Sequence, residues 1–164
     1  MVTASKWRTI MSESLADYLG QVPIFSNLTL LELQTIEKYM FFNKVEVGEF
    51  VFKAGEKGDY VCFVMHGALD VIKLNQHAKP VVITTLAKGS SIGEMALIDK
   101  LTRSASVRAC TTSGLIVLTR KGFEMILKLH PEIGIKILKG IASLLSINLR
   151  KTSDKLAEFM PPLA

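Results

Sequence analysis

The alternation of apolar and polar positions divides the chain into a helical start, a β-rich middle and a helical end. At the start, apolar side chains recur every three or four residues, which predicts one buried face of a helix. These side chains are Met11, Leu15, Tyr18, Leu19 and Val22. Pro23 ends or redirects this helix. Thr29 and Glu32 then have the spacing of a capping box, which predicts a second short helix continuing to Met40. We therefore expect N-terminal helices over residues 1–40.

Between residues 41 and 119, short apolar runs alternate with glycine-containing turns. The predicted strands are 41–47, 49–53, 60–66, 68–74, 80–86, 104–110 and 115–118. Many short strands at this spacing are typical of antiparallel sandwiches and barrels, whereas parallel sheets need longer helical connections. We predict a mainly β fold with flanking α-helices, built on an antiparallel, jelly-roll-like β-roll (a double-stranded β-helix).

The last part of the chain predicts two helices over residues 120–160. Thr119 is a suitable N-cap for the first, and Pro131 suits the first turn of the second. Residues of the second helix alternate by three and four positions along one stripe: Ile135, Leu138, Ala142, Leu145, Leu149, Thr152, Leu156 and Phe159. One side of a roll can hardly cover a helix ~40 Å long. We predict a homodimer through residues 135–159, with packing of the stripe on the same chain as the alternative.

The length and charge limit the possible partners. The 164 residues predict one ordinary domain, or one domain with a helical extension, and the net charge of +5 invites a nucleic-acid or membrane interpretation. Residues 1–99 hold 9 basic and 11 acidic residues, whereas residues 100–164 hold 11 and 4. Five of these 11 basic residues lie on the solvated face of the second predicted helix: Lys136, Lys139, Arg150, Lys151 and Lys155. A DNA-binding helix-turn-helix domain after the second helix would need roughly 60 further residues. We therefore expect no direct DNA binding, although the sensor part of a truncated DNA-binding regulator stays an alternative.

Other classes of function find little support in the sequence. Cys62 and Cys110 cannot form a disulfide framework, residues 1–7 lack the apolar core of a signal peptide, and no apolar run is long enough to span a membrane. We expect a cytoplasmic protein without a membrane partner. The sequence has no nucleophile elbow, and its three histidines are too scattered to predict a metal site. We therefore expect that the protein is not an enzyme. The histidines are His66, His77 and His130.

The candidate chemistry lies in residues 89–109. Gly93 and Glu94 open a single predicted helical turn, and Arg103 follows nine residues after Glu94. An arginine offers a planar pair of donors that matches phosphate, and a carboxylate accepts hydrogen bonds from hydroxyl groups. The small residues after Arg103 let the backbone approach a ligand closely. Together these groups predict a site for a phosphorylated sugar ring. The alternative is that Glu94 and Arg103 form an ordinary surface ion pair.

This segment resembles the phosphate-binding cassette of the cyclic-nucleotide-binding domain family. The family pattern Gly-Glu-aliphatic-Ala-Leu, followed by Arg-small-Ala-Ser/Thr, stands here at residues 93–97 and 103–106. Further family signposts follow the same order, and the resemblance covers about residues 22–158. Thr102 stands where many members have Pro. The further signposts are residues 24–28, 47–49, 55–59 and 64–67.

The resemblance implies a β-roll that binds cAMP or cGMP, without a metal, between the roll and the cassette. On this interpretation Arg103 pairs with the cyclic phosphate and Glu94 accepts from the ribose 2′-hydroxyl. Thr84 and Leu86, in the strand before the cassette, would form the apolar wall for the base. The other implied ligand-binding residues are Ile92, Gly93, Met95, Ala96, Ser104 and Ala105.

The end of the long helix bears on the choice of base. Thr152-Ser153-Asp154-Lys155 is similar to the end of the dimer helix in catabolite-activator-type regulators. In those regulators the two hydroxyls reach the adenine, one from each subunit, which favours cAMP here. Ser104 could instead serve guanine, so cGMP stays the alternative. We expect a homodimeric sensor that signals to an unknown downstream protein through its C-terminal helix; a nucleotide-free dimeric scaffold is the other possibility.

Overall fold

Two short helices begin the described part of the chain, which is residues 14–162 of this computed structural model. Helix α1 (Leu15–Gly20) starts at Ser14, whose side chain accepts a hydrogen bond from the Asp17 N–H. The chain then turns through a 3₁₀ helix, Pro23–Phe25, as the proline predicts. The predicted contribution of Met11 to the first helix lies outside the described residues.

Helix α2 (Leu30–Ile36) confirms the predicted capping box. The Thr29 side chain accepts from the Glu32 N–H, and the Glu32 carboxylate accepts from the Thr29 N–H at 2.7 Å. The α-helix ends earlier than its apolar pattern predicts, because a 3₁₀ turn (Glu37–Tyr39) follows and Met40 already begins the first strand.

Within residues 14–162, eight strands form two four-stranded antiparallel sheets. The strands are β1 (Met40–Val45), β2 (Phe50–Phe52), β3 (Tyr60–His66), β4 (Leu69–Leu74), β5 (Pro80–Leu86), β6 (Ser91–Ile92), β7 (Ser106–Ala109) and β8 (Ser113–Thr119). Their order is β1-β8-β3-β6 in the first sheet and β2-β7-β4-β5 in the second. This arrangement confirms the predicted antiparallel β-roll. Strand β6 was not predicted, because two residues cannot display an alternating pattern.

Strands β3 and β8 are buried on both faces, which explains their continuous apolar sequences. Inside the roll, Cys62 and Val64 of β3 pack in one core cluster, and on the outer face Val61 and Phe63 pack in another. The outer cluster joins the first sheet to the helices. Within it, the Tyr18 hydroxyl donates to the Val64 carbonyl at 2.7 Å and ties α1 to the roll.

The C-terminal helices close the outer core. Helix α3 (Arg120–Leu129) begins at the predicted N-cap Thr119, whose hydroxyl accepts from the Gly122 N–H at 3.0 Å. Helix α4 (Pro131–Glu158) follows, with Pro131 in its first turn. No helix among residues 14–162 combines the length and apolarity that a bilayer span requires.

Helix α4 packs on the 3₁₀ helix Pro23–Phe25 and on α3 through a face that only partly overlaps the predicted stripe. The buried residues are Ile133, Gly134, Ile137, Gly140 and Ile141. Gly140 permits a close backbone approach, because a Cβ at this position would overlap the Ile24 carbonyl oxygen. Leu138 and Leu145 of the predicted stripe are partly buried beside this face. The remaining large apolar members of the stripe are exposed: Ile135, Leu149, Leu156 and Phe159.

Candidate functional site

Gly93 begins the candidate site, between β6 and a 3₁₀ helix (Glu94–Leu97) in place of the predicted turn 94–98. Its φ of +85° lies in the left-handed region that favours glycine. A Cβ at Gly93 would also overlap the Arg103 Nη1 atom. Both observations indicate that glycine is required here, and they place the start of the 3₁₀ helix directly against the arginine.

Glu94 is buried, with 8% of its surface exposed, although it carries an ionisable carboxyl group. Its Oε2 atom has no hydrogen-bond partner. Burial raises the pKa of Glu94 above its usual value, while a hydrogen bond from its own backbone and the charge of Arg103 oppose this rise. An acceptor that is buried without a partner carries a desolvation cost, which a hydroxyl group on a ligand would remove.

Arg103 is similarly buried, with 6% exposed. Its Nη2 donates to the Tyr60 carbonyl at 2.8 Å and its Nη1 to the Gly93 carbonyl at 3.4 Å, whereas its Nε has no partner. The backbone of Arg103 is also held on both sides: its N–H donates to the Glu56 carbonyl at 2.8 Å, and its carbonyl accepts from the Gly55 N–H at 2.9 Å. The guanidinium is therefore fixed before any ligand arrives.

A cavity of about 270 Å³ brings most of the sequence-predicted residues together. The expected residues that line it are Ile92, Gly93, Glu94, Met95, Ala96, Arg103, Ser104 and Ala105. Sequence reasoning missed eight others: Phe52, Gly58, Val71, Lys73, Ile83, Asp99, Leu101 and Thr102. Asp99, Leu101 and Thr102 lie within the segment already singled out, so their position was a usable signal. The remainder come from distant strands and loops that only the folded roll brings close.

The structure places Thr84 and Leu86 outside the residues that line this cavity. Leu86 packs against the core inside the roll. Thr84 pairs with Val71, but the next pair joins Ile72 to Val82, so a β-bulge leaves Ile83 as an extra residue. Ile83 lines the cavity on this strand. A bulge shifts the side-chain alternation by one residue, and the alternating pattern of the sequence does not reveal where this shift occurs.

Thr152 and Ser153 also lie outside the cavity of the single chain. Both are exposed near the end of α4, and the Thr152 hydroxyl donates to the Asn148 carbonyl at 2.8 Å. Their predicted role requires a second subunit, so their placement in one chain leaves that role as a prediction.

Other reactive groups do not form a second chemical centre in residues 14–162. No cluster of three or more His, Cys, Asp or Glu side chains in this range could hold a metal ion. Cys62 is fully buried, and burial raises its pKa to about 12, so it is a neutral thiol at physiological pH. A wider depression of about 490 Å³ against the second sheet has walls that include Phe50, Ile72 and Arg108. The buried side-chain atoms without partners in this range, Glu94 Oε2 and Arg103 Nε, both belong to residues of the smaller cavity.

Residues 42–130 match the sequence profile of the cyclic nucleotide-binding domain. The chain belongs to the cyclic nucleotide-binding domain family. This match includes the whole candidate cassette, residues 89–109, and the strands that surround the cavity. The resemblance stated from the motif is thereby confirmed at the level of the family.

Several curated proteins are similar to this cyclic nucleotide-binding domain. A cGMP-dependent protein kinase of Plasmodium berghei is 37% identical over 105 residues, which is 64% of this chain and 12% of the kinase. A cyclic nucleotide-gated potassium channel of Mesorhizobium japonicum is 37% identical over 115 residues, 70% of this chain and 30% of the channel. A cAMP-dependent protein kinase regulatory subunit of Yarrowia lipolytica is 34% identical over 110 residues, 67% of this chain and 28% of the subunit. The chain thus spans less than a third of each relative.

Solved structures share the fold. A cyclic nucleotide-binding domain from Methylobacillus flagellatus superposes with a TM-score of 0.81 at 25% identity, covering 91% of this chain and 84% of the other. The catabolite activator protein of Thermus thermophilus gives 0.75 at 24% identity, covering 84% and 62%. The regulatory subunit of a cAMP-independent protein kinase A from Trypanosoma cruzi, bound to guanosine, gives 0.67 at 25% identity, covering 93% and 53%.

Proposed function

We propose that this cyclic nucleotide-binding domain is a non-enzymatic sensor that binds a cyclic purine nucleotide, cAMP in preference to cGMP. The observation that carries the proposal is the pair of buried atoms without partners, Glu94 Oε2 and Arg103 Nε, in residues that line one cavity. One is an acceptor and the other a donor. A ligand that joins a hydroxyl group to an anionic phosphate would satisfy both.

Each part of a cyclic nucleotide has a matching group in the cavity. The Arg103 guanidinium would pair with the cyclic phosphate, since it still has an unused donor and a full positive charge. Glu94 would accept from the ribose 2′-hydroxyl. Val71 and Ile83 supply apolar surface on the side of the second sheet, where a flat base can lie. This division replaces the wall that we expected from Thr84 and Leu86.

The preference for adenine rests on a second subunit. Leu149, Leu156 and Phe159 are exposed on α4, with 68%, 61% and 84% of their surfaces accessible. Exposed apolar side chains at this spacing support a helix pair, which could bring Thr152 and Ser153 of one subunit to the base bound by the other. Ser104 lines the cavity beside Arg103, and its hydroxyl supports cGMP as the alternative ligand.

Helix α4 would transmit the effect of ligand binding from this sensor to another protein or domain. The first half of α4 packs against the 3₁₀ helix Pro23–Phe25 and α3, so residues 22–160 would act as one unit in which the roll and the helices move together. A downstream protein or a further domain would then detect the position of α4. The free thiols of Cys62 and Cys110 support a reducing, cytosolic setting.

Isothermal titration of cAMP, cGMP and guanosine into the wild-type protein and Arg103→Ala tests this proposal. We expect both cyclic nucleotides to bind, cAMP more tightly, and Arg103→Ala to weaken both by about 100-fold or more, as a lost charged pair does. Arg108→Ala, which removes an exposed arginine of β7, is the matched control and should bind like the wild type.

Two outcomes would overturn the proposal. Failure of the wild type to bind either cyclic nucleotide would favour the nucleotide-free scaffold. Guanosine binding that is as tight as that of the cyclic nucleotides and insensitive to Arg103→Ala would indicate a nucleoside site without phosphate recognition.

A further inference from the structure

Arg103 has no carboxylate partner for its buried charge. No Asp or Glu among residues 14–162 forms an ion pair with it. Its guanidinium lies instead over the faces of two aromatic rings, with Cζ 3.9 Å from the centroid of Phe52 and 4.5 Å from that of Tyr60. These distances are within the range of cation–π contacts.

We propose that Phe52 and Tyr60, together called the aromatic clamp, are positioning residues that hold the Arg103 guanidinium ready for an anion. This inference rests on the proposed function, because the anion is the cyclic phosphate. It adds the means by which a buried cation is kept in place while its donors stay available.

The aromatic clamp is itself held by the two sheets. Phe52 is buried on β2, and Tyr60 belongs to β3 of the other sheet. The Tyr60 hydroxyl donates to the Val51 carbonyl at 2.7 Å, which fixes the ring of Tyr60 relative to β2. The two rings meet edge to face, with centroids 6.2 Å apart and an interplanar angle of 71°. The rings therefore cannot move apart without disturbing contacts between the sheets.

Aromatic rings solve a problem that a carboxylate would create. A buried cation needs electrostatic compensation, and the negative potential over the faces of the two rings supplies it. The rings accept no hydrogen bond from the N–H groups at the guanidinium edge. A carboxylate would bind that edge in a bidentate manner and compete with phosphate. The backbone carbonyls of Tyr60 and Gly93 fix two of the five N–H groups, and Nε has no partner. The anion would then find the guanidinium correctly oriented and with no carboxylate bound to its edge.

The first test needs no nucleotide. Ring currents of the aromatic clamp should shift the Arg103 Hε resonance upfield in an arginine-selective NMR spectrum, and Phe52→Leu should return it toward the range of unstacked arginines. Phe63→Leu is the matched control, because Phe63 is also buried but packs with Phe25 in the outer core. An Arg103 Hε shift that is the same in the wild type and Phe52→Leu would overturn the proposal.

The second test measures nucleotide affinity by titration at fixed ionic strength. Phe52→Leu and Tyr60→Leu should each raise the Kd for cAMP and cGMP about tenfold, as the loss of a desolvated cation–π contact predicts. Tyr60→Phe keeps the ring and should stay within about threefold of the wild type. Phe63→Leu should lower the melting temperature without changing the Kd. Unchanged affinity in folded Phe52→Leu and Tyr60→Leu proteins would contradict the clamp.

The two tests separate this proposal from the proposed function. A wild type that shows the shifted Arg103 resonance but binds no cyclic nucleotide would refute the sensor and with it the purpose of the clamp. A wild type that binds cyclic nucleotides but shows no shift would refute only the clamp.

Discussion

Glu94 and Arg103 line the same cavity with opposite charges, yet each keeps one buried polar atom without a partner. A direct ion pair between them would satisfy both atoms and close the site. The 3₁₀ helix at Glu94–Leu97 and the backbone contacts of Arg103 hold the two side chains in separate positions. The ligand-free protein therefore carries an electrostatic cost in this cavity, and removing or filling it should be measurable.

Arg103→Lys tests whether the shape of the cation matters as well as its charge. An ammonium is a point charge and cannot offer two parallel donors to a phosphate, so we expect the Kd for cAMP to rise about 10- to 100-fold. Calorimetric titration measures this change. Arg108→Lys on the exposed face of β7 is the control, and equal affinity of Arg103→Lys and the wild type would mean that only charge is recognised.

Glu94→Gln should stabilise the ligand-free protein while weakening ligand binding. Burial raises the Glu94 pKa above its usual 4.5, so the folded state binds this proton more tightly than the unfolded state does. The contribution of Glu94 to stability is then greatest below pH 4.5 and is lost as the pH rises through the raised pKa. At pH 7, Glu94→Gln should raise the melting temperature by roughly 2–4 °C, the equivalent of about 1 kcal/mol in a domain of this size.

The same variant makes a second prediction about pH. Wild-type affinity for cAMP should fall as the pH is lowered through the raised pKa of Glu94, because the protonated group no longer accepts with full charge. Glu94→Gln should bind about tenfold more weakly at pH 7 and show a flatter pH profile. Titrations between pH 5 and 8, together with melting curves, measure both effects. A lower melting temperature at pH 7 would show that Arg103 stabilises the carboxylate more than burial destabilises it.

Gly140→Ala tests the close contact between α4 and the 3₁₀ helix at Pro23–Phe25. Alanine normally stabilises a helix interior by about 1 kcal/mol relative to glycine. Here its Cβ would overlap the Ile24 carbonyl oxygen, so we expect a net loss of about 2 kcal/mol in the free energy of unfolding. Urea denaturation measures the change, and the exposed substitution Ser143→Ala should be nearly neutral. A more stable Gly140→Ala protein would show that α4 can shift without cost.

Leu149→Glu tests the proposed helix pair. Leu149 is 68% exposed and belongs to the predicted stripe, so the variant should disrupt a dimer without disturbing the core of the chain. We expect sedimentation velocity to show a wild-type dimer and a Leu149→Glu monomer with an unchanged circular dichroism spectrum. Ser143→Glu adds the same charge outside the stripe and should leave the dimer intact. A wild-type monomer at micromolar concentration would contradict the helix pair.

The elements whose residues repeat a local pattern could be predicted from the sequence. Strands 60–66 and 80–86 were predicted with the bounds that the structure has, and the capping box at Thr29 has the predicted hydrogen bonds. The cassette could be found because Glu94 and Arg103 lie in one short motif. Its resemblance to a known family, more than its composition, indicated a nucleotide.

The missed features depend on the folded arrangement rather than on local pattern. Ile83 enters the cavity through a β-bulge, and Phe52 reaches Arg103 from a strand about fifty residues away. On α4, both Ile135 and Ile137 fit a helical apolar pattern, but only Ile137 is buried. Which of two adjacent apolar rows packs against the 3₁₀ helix Pro23–Phe25 depends on the close approach at Gly140, and a helical periodicity does not contain that information.

The contact at Gly140 fixes the first part of α4 and leaves its outer part projecting into solvent. The helix is anchored up to Ile141, and the remainder to Glu158 is exposed apart from Leu144 and Leu145. At 1.5 Å per residue this outer part is about 26 Å long. A tilt of only ~10° about Gly140 would move its tip by about 4–5 Å, more than the width of an atom, without unwinding a single turn. Such a displacement would be large enough for the downstream protein that we propose to detect, while the core of the roll would hardly change.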